Sequence, residues 1–235
     1  ARPVVHRWSS VTAVRSGRRR NNTSTYAIKS ICSYFCPYGF FRIFVQIRKS
    51  SAAILNMQEK SIISLQHYES PCGIMLLGSF DGKLCLCDWM HGRKRQPTDM
   101  KLMKSLDSIF VNQPSDVIVR ASGQLDEFFS GKRKEFDIPL LFVGTDFQKK
   151  VWRALMDIGF GNTVSYAGLA ERIGHPSSVR AVANANANNP ISVFVPCHRV
   201  IGADGSLTGY GGGLDVKKYL LDLESGNGCL QLKNH

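Results

Sequence analysis

An α+β fold is predicted for this chain: an N-terminal domain with a small antiparallel sheet, then a mostly helical C-terminal domain containing a helix-turn-helix. Three observations predict it. Strand-like apolar runs between Ser61 and Trp89 are separated by turn residues, apolar residues behind Thr145 recur at helical spacing, and two short helical stretches flank Gly174-His175-Pro176.

Ile62-Ile63-Ser64-Leu65 opens the sheet, and Ser70-Pro71-Cys72-Gly73 turns the chain into Ile74 to Phe80. Asp81-Gly82 is a hairpin signal, because a tight two-residue turn needs positive φ at both central positions. Leu84 to Trp89 then returns, completing an antiparallel meander. Leu125, Phe128 and Phe129 fall at i, i+3 and i+4, the buried stripe of a short helix that Gly131 ends. Residues 57–137 therefore read as a small α+β domain, with 138–144 as an extended connector.

Thr145 and Gln148 make a capping box at the head of a helix predicted from Asp146 to about Asp157. Phe147, Val151 and Leu155 share one face of it, with Trp152 alongside, and Gly159 and Gly161 follow its end. Ser165 is a second N-cap, ahead of a helix over Tyr166 to Arg172. After the Gly174-His175-Pro176 break, Ser177 to about Ala187 forms a third, Ala-rich helix. Two short helices around a tight turn are a helix-turn-helix candidate, a weak signal alone because most such pairs bind nothing.

The chain has 235 residues and is 43% hydrophobic, enough to bury a core, which excludes disorder throughout. No apolar run approaches the ~18 to 20 residues that span a bilayer, so a membrane association is not expected. The formal charge of +12 is concentrated at the start: residues 1–56 carry ten Lys or Arg and no Asp or Glu, leaving 20 basic against 18 acidic residues beyond. A global basic charge is thus weak evidence for a nucleic-acid partner. The basic leader over 1–56 is expected to be disordered or non-native. Its composition fits a transit peptide, Met57 is a natural start that the abrupt change there favours, and Arg18-Arg19-Arg20 could serve as a nucleic-acid-binding arm. Residues 229–235 are read as a tail.

Seven cysteines at irregular spacing (Cys32, Cys36, Cys72, Cys85, Cys87, Cys197, Cys229) do not form the even framework of a secreted disulfide scaffold. Cys85-Leu86-Cys87 and Cys32/Cys36 are zinc half-sites in spacing, but no finger-like His cluster completes them, and no metal is expected.

The chemistry gathers after Asn189-Pro190. Ile191 to Val195 is an apolar, β-branched run fit for a buried strand, and it delivers Pro196-Cys197-His198-Arg199-Val200. A reactive thiol needs a nearby base or positive charge, and His198 and Arg199 are its sequence neighbours. A bare Cys-His pair is more often a buried small thiol beside an unrelated ring.

The surroundings change that balance. Pro196-Cys197-His198-Arg199-Val200, preceded by Asn189-Pro190 and followed by Gly209-Tyr210-Gly211-Gly212-Gly213, closely resembles the active-site signature of the O6-alkylguanine-DNA alkyltransferases, the methylated-DNA-protein-cysteine methyltransferases. Gly144-Thr145-Asp146-Phe147-Gln148, Val151-Trp152, Val164-Ser165-Tyr166, Leu169-Ala170, Arg180-Ala181-Val182 and Leu220-Leu221 with Glu224 extend the resemblance, and Gln124 to Gly131 and Ser70-Pro71 with Gly73 carry it upstream. It runs from about Ile62 to Glu224.

The resemblance implies a two-domain repair protein whose DNA-binding and active-site domain is 145–228. Cys197 would take the alkyl group from O6-alkylguanine in double-stranded DNA, with O4-alkylthymine a further candidate, irreversibly and once per molecule. Glu224 would orient His198, which would deprotonate Cys197 through a water, and Tyr166 would donate a proton toward the purine and help rotate the nucleotide out. Arg180 would fill the gap in the base stack. Ser165, Ala181 and Ala183 would lie at the minor groove, where Ala185 and Ala187 also suit close approach. Val200, Tyr210, Gly211 and Asn189 would line the pocket, Asn189 through an Asx turn tying the recognition helix to the active-site strand. Some members carry Ser where this chain has Gly211, which leaves only a backbone donor there.

No cofactor is implied, and the resemblance is to monomers. The compartment would follow the DNA: cytoplasm in a bacterium, nucleus in a eukaryote, an organelle if 1–56 is a targeting segment. Two rival readings differ in their residues. A lesion-binding module without chemistry would lack Cys197, and a redox-sensing regulator would need a resolving thiol, for which Cys229 is nearest in sequence.

Overall fold

The computed structural model describes residues 60–92 and 94–226, which lie within one compact unit of the chain. The basic leader with Arg18-Arg19-Arg20, the Cys32/Cys36 pair, Cys229 and the tail lie outside the described residues. Among the described residues no helix is long and apolar enough to cross a membrane.

Strands β1 (Ser61–Ser70), β2 (Gly73–Phe80) and β3 (Lys83–Trp89) form the expected antiparallel meander. Asp81 and Gly82 both have positive φ, 48° and 69°, as the hairpin signal requires. Around this sheet two elements were not foreseen: helix α1 (Arg95–Ser105) and strand β4 (Ser108–Asn112), which pairs parallel with β1 and makes the sheet mixed, in the order β3-β2-β1-β4. Helix α1 buries only Arg95 and Leu102, so its sequence carries no apolar period to read.

A β-bulge sets the phase of β3. Gly78 faces Leu86 but Ser79 faces Leu84, so Cys85 is an extra residue without a partner. As a result Leu84, Cys87 and Trp89 join the core shared with the helices, whereas Cys85 and Leu86 join a second cluster with Ile63 and Leu102. The two thiols of Cys85-Leu86-Cys87 thus belong to different clusters, and burial pushes the Cys85 thiol up to about 12 and Cys87 well above its ordinary range. They pack as small apolar groups.

Helix α2 (Asp116–Phe129) begins well before the three apolar residues, Leu125, Phe128 and Phe129, that announced it. Ser115 caps it by accepting from the Ile118 amide at 3.2 Å, and Ile118, Ala121, Leu125 and Phe128 form its buried stripe. Gly131 follows with φ 75°. The segment 138–144 adds to the sheet edge, with the Leu84 amide donating to the Pro139 carbonyl at 2.8 Å and the Leu141 amide to the Leu84 carbonyl at 2.9 Å.

Helix α3 (Asp146–Met156) starts at the predicted capping box: Thr145 Oγ1 accepts from the Gln148 amide and Gln148 Oε1 from the Thr145 amide. Trp152 is fully buried and its indole N–H donates to the Ala185 carbonyl at 2.9 Å. An indole of this size buries about 200 Å², worth up to roughly 5 kcal/mol at about 25 cal/mol per Å². Strand β5 (Val164–Ser165) leads into α4 (Tyr166–Arg172), capped by Ser165, and a 3-10 turn at Pro176–Ser178 leads into α5 (Val179–Ala187), against which α3 and α4 both pack. Strand β6 (Val200–Ile201) pairs parallel with β5, and α6 (Leu214–Ser225) closes the described chain.

The strand expected over Ile191 to Val195 does not form. Val193 has φ 71°, and the Phe194 and Val195 amides bond back to the Ser192 and Ile191 carbonyls, both at 2.9 Å, so the segment coils into tight turns. A β-branched residue in the left-handed region is strained, and the surrounding contacts must compensate. Cys87 supplies them: its amide donates to the Pro190 carbonyl at 2.9 Å and its carbonyl accepts from the Ser192 amide at 2.6 Å.

Candidate active site

Cys197 opens a 3-10 turn, Cys197–Arg199, and does not end a strand. Two asparagines at the end of α5 hold this turn. Asn186 donates to the Cys197 carbonyl at 3.3 Å. Asn189 donates to the Val195 carbonyl at 2.9 Å while its Oδ1 accepts from the Ile191 amide at 3.0 Å, the Asx turn read from Asn189-Pro190. Asn186 was not singled out from sequence, because an Asn in an Ala-rich helix gives no sign that its side chain turns inward.

His198 is fully buried and its Nε2 lies 2.8 Å from Glu224 Oε1. Glu224 sits on α6 and also receives Arg199 Nε at Oε2 and Arg199 Nη2 at Oε1, each at 2.9 Å, with the Gly161 amide at 3.2 Å. Arg199 Nη1 completes the set on the Ile158 carbonyl. Burial alone would raise the Glu224 carboxyl, but the hydrogen bonds and charges of His198 and Arg199 outweigh it and hold the group at about 2. An ionised carboxylate only accepts, so Nε2 carries the proton of the His198 ring. Burial keeps that ring below its ordinary pKa and hence neutral near pH 7. Nδ1 is left as an unprotonated acceptor, and it is buried without a hydrogen-bond partner in the protein.

Arg199, a sequence neighbour of the thiol, has its side chain committed to Glu224 and the Ile158 carbonyl. The cation that acts on Cys197 is Lys217, which sequence reading missed. It is fully buried on α6, and its Nζ donates to the Val200 carbonyl at 2.6 Å and the Thr208 carbonyl at 2.7 Å. One signal could have found it: Lys217, Leu220 and Glu224 fall at i, i+3 and i+7, so a lysine shares the buried stripe with the carboxylate. Burial pushes the Cys197 thiol up to about 11, against a lowering by Asn189 and Lys217, so the resting sulfur is protonated at neutral pH.

The β5–β6 pair, Val164 with Val200 and Ser165 with Ile201, joins the start of α4 to the strand leaving the cysteine turn. Tyr166 is half-buried against the core there, and Ser165 Oγ is occupied as the cap on the Gly168 amide at 3.0 Å. Tyr210 stands edge-on to His198, ring centroids 6.4 Å apart. Arg180 and Ala181 are exposed on α5 and Ala183 is partly so, but Ala185 is buried at 2% exposure and takes the Trp152 hydrogen bond, so it belongs to the core and not to an outer face. Val200 is buried, and Gly211 is exposed on the loop that precedes α6.

The family model described as 6-O-methylguanine DNA methyltransferase, DNA binding domain, matches residues 146–226. The chain is 45% identical over 157 residues to the methylated-DNA–protein-cysteine methyltransferase of Methanosarcina acetivorans, covering 67% of this chain and 95% of the relative. It is 55% identical over 104 residues to the protein of that name from Mycobacterium tuberculosis, covering 44% and 63%. Mycobacterium tuberculosis OGT, solved in complex with DNA, matches with a TM-score of 0.62 at 38% identity over 72% of this chain and 96% of that one. The O6-methylguanine-DNA methyltransferase of Pyrococcus kodakaraensis matches with a TM-score of 0.50 at 30% identity, over 69% and 98%.

Proposed function

The chain belongs to the methylated-DNA–protein-cysteine methyltransferase family and repairs DNA by direct transfer of an alkyl group to the protein; on that premise we propose that the acceptor is Cys197 and the substrate is O6-alkylguanine in double-stranded DNA. The observation that carries this reading is the buried His198 Nε2–Glu224 Oε1 hydrogen bond of 2.8 Å, which leaves Nδ1 free to act as the base.

A thiol with a pKa of about 11 must lose its proton as the alkyl carbon arrives. His198 Nδ1 takes that proton through a bridging water. Cys197 Sγ attacks the alkyl carbon, the carbon–O6 bond breaks with its electrons passing to the guanine, and a thioether forms. Tyr166 gives its phenol proton to the purine and is reprotonated from the imidazolium by way of solvent, so the thiol proton ends on the repaired base. The glutamate stabilises the transient imidazolium, as the orienting carboxylate of a catalytic triad does. A thioether has no leaving route here, so each molecule acts once.

O6 lies inside the duplex, and extruding the nucleotide costs a few kcal/mol, least for a damaged pair. The α4–α5 pair serves as the helix-turn-helix: Ser165 and Tyr166 enter at the start of α4, Ala181 and Ala183 allow close approach to the minor groove, and exposed Arg180 fills the gap in the stack. Val200, Tyr210, Gly211 and Asn189 border the pocket for the extruded base.

The test is the intact mass of the protein after incubation with a duplex carrying one O6-methylguanine, with Cys197→Ala in parallel. Wild type should gain one methyl group on the peptide containing Cys197, and the variant none. Tight binding by both proteins with no mass gain would overturn the transfer chemistry and leave a lesion-binding module.

A further inference from the structure

We propose that Trp89 is a positioning residue: it seats the loop over Gly209 to Gly213 and so limits the size of the alkyl group that Cys197 can accept. The inference rests on the reading of Cys197 as the acceptor.

Trp89 ends β3 and is 4% exposed. It faces the helical core only because the bulge at Cys85 shifts the phase of the strand. Its indole N–H donates to Tyr210 Oη at 3.3 Å, and the two rings meet edge-on with centroids 6.3 Å apart. Beyond Tyr210, Gly212 lies against the indole: a Cβ there would come within 2.8 to 2.9 Å of Nε1, Cδ1 and Cδ2. Only a residue without a side chain fits that contact.

The seat is itself braced. Asp88 Oδ1 accepts from the Trp89 amide at 2.9 Å and lies beneath Gly211, where a Cβ would be 3.6 Å away. The Gly92 amide bonds the Trp89 carbonyl at 3.0 Å, and a Cβ on Gly92 would be 3.4 Å from the Gly211 carbonyl. Residues at and just beyond the end of β3 thus meet the loop closely: the Trp89 indole against Gly212, the Asp88 carboxylate beneath Gly211, and Gly92 against the Gly211 carbonyl.

The loop reaches the chemistry through Tyr210, whose ring is edge-on to His198. Burial, with Cys197 as a neighbour, pushes its hydroxyl well above the usual range. A group in transfer lies against Sγ, and therefore within the space that Tyr210 bounds. With the phenol hydrogen-bonded to an indole fixed in the sheet, that wall cannot retreat. A methyl group needs no retreat, whereas a benzyl group does. The N-terminal sheet, which carries none of the reacting groups, acquires a role in choosing the substrate.

The experiment compares rates of alkyl transfer from otherwise identical duplexes carrying O6-methylguanine or O6-benzylguanine, read by intact mass. The benzyl-to-methyl ratio is the readout, because a general loss of stability lowers both rates together. Trp89→Phe keeps the aromatic body and loses the donor, and should raise the ratio about fivefold, the effect of one lost hydrogen bond. Trp89→Ala should raise the ratio at least about tenfold, the scale on which a pocket resolves one to two methylenes. Gly212→Ala, which leaves the core intact, should also move the ratio, since the added methyl forces the loop off its seat. If Trp89→Ala fails to fold, Gly212→Ala and Trp89→Phe carry the test. Wild-type transfer of methyl with an unchanged ratio in the folded variants would overturn this inference alone. Wild type that accepts neither group would overturn the functional reading itself.

Discussion

His198 and Glu224 are 26 residues apart in sequence, fully buried as side chains, and joined by a 2.8 Å hydrogen bond from Nε2 to Oε1. The pair makes one ring nitrogen a donor and leaves the other a base. Arg199 shares the same carboxylate through two hydrogen bonds, so one glutamate both pairs with a buried cation and orients the neutral His198 ring, and on the proposed mechanism it serves both folding and catalysis.

Glu224→Gln keeps the shape and removes the charge. Arg199 is then left as a buried cation without its anion, a loss of about 3 to 5 kcal/mol for a buried pair broken on one side. The amide no longer enforces the His198 tautomer. Urea unfolding should show a destabilisation of that order, and the remaining folded protein should transfer methyl at least about tenfold more slowly.

Acid stability follows from the same carboxylate. Its folded pKa of about 2 lies below the ordinary 4.5, so its contribution is fully present above pH 4.5 and is lost as pH falls from 4.5 toward 2. A shift of that size corresponds to about 3 kcal/mol. His198, held below its ordinary 6.5 by burial, works in the same direction, since the unfolded chain takes up its proton first as pH falls below 6.5. Urea midpoints measured from pH 7 to pH 3 should decline throughout, and Glu224→Gln should flatten the part below pH 4.5.

The rate should respond differently. With the thiol raised to about 11 by burial and the neutral His198 ring as base, the reactive pair exists unchanged between the two titrations. Single-turnover methyl transfer should therefore be flat from pH 7 to about pH 10. A tenfold rise per pH unit across that range would mean that free thiolate, not the Cys197–His198 pair, is the nucleophile.

Lys217→Met retains the buried stem and removes the ammonium that joins the Val200 and Thr208 carbonyls. Burial already lowers this lysine to about 8, a sign of the desolvation its charge carries. Losing that penalty offsets the lost hydrogen bonds, so stability should move by less than about 2 kcal/mol. Methyl transfer should nevertheless slow about tenfold, because the loop loses its tie at Thr208 and the thiol loses the cation that lowers it.

Arg180→Ala separates extrusion from chemistry. The side chain is exposed, so melting temperature should not change. Repair of O6-methylguanine in a duplex should fall at least about tenfold if Arg180 supports the gap in the stack. Transfer from the free base O6-methylguanine should remain as in wild type. An equal loss on both substrates would place Arg180 outside the extrusion step.

What the sequence determined by itself was local. Asp81-Gly82 needs its turn, Thr145 and Gln148 cap a helix wherever it packs, and Asn189-Pro190 makes its Asx turn within a few residues; each is an interaction over short chain distance. The cysteine motif was legible for the same reason, being five consecutive residues. Tertiary structure decided what those residues do. Ile191 to Val195 has the composition of a strand, but Cys87 of β3 bonds only its start, at Pro190 and Ser192, and the Phe194 and Val195 amides then turn back on the Ser192 and Ile191 carbonyls. Arg199 follows His198 in the chain, yet its side chain is taken up by Glu224 and the Ile158 carbonyl, which satisfy its buried donors. Lys217 and Trp89 approach the site from a helix and a strand whose partners lie 17 and 121 residues away. Such pairings depend on which elements pack together, and a buried charge or indole takes whichever acceptor that packing presents.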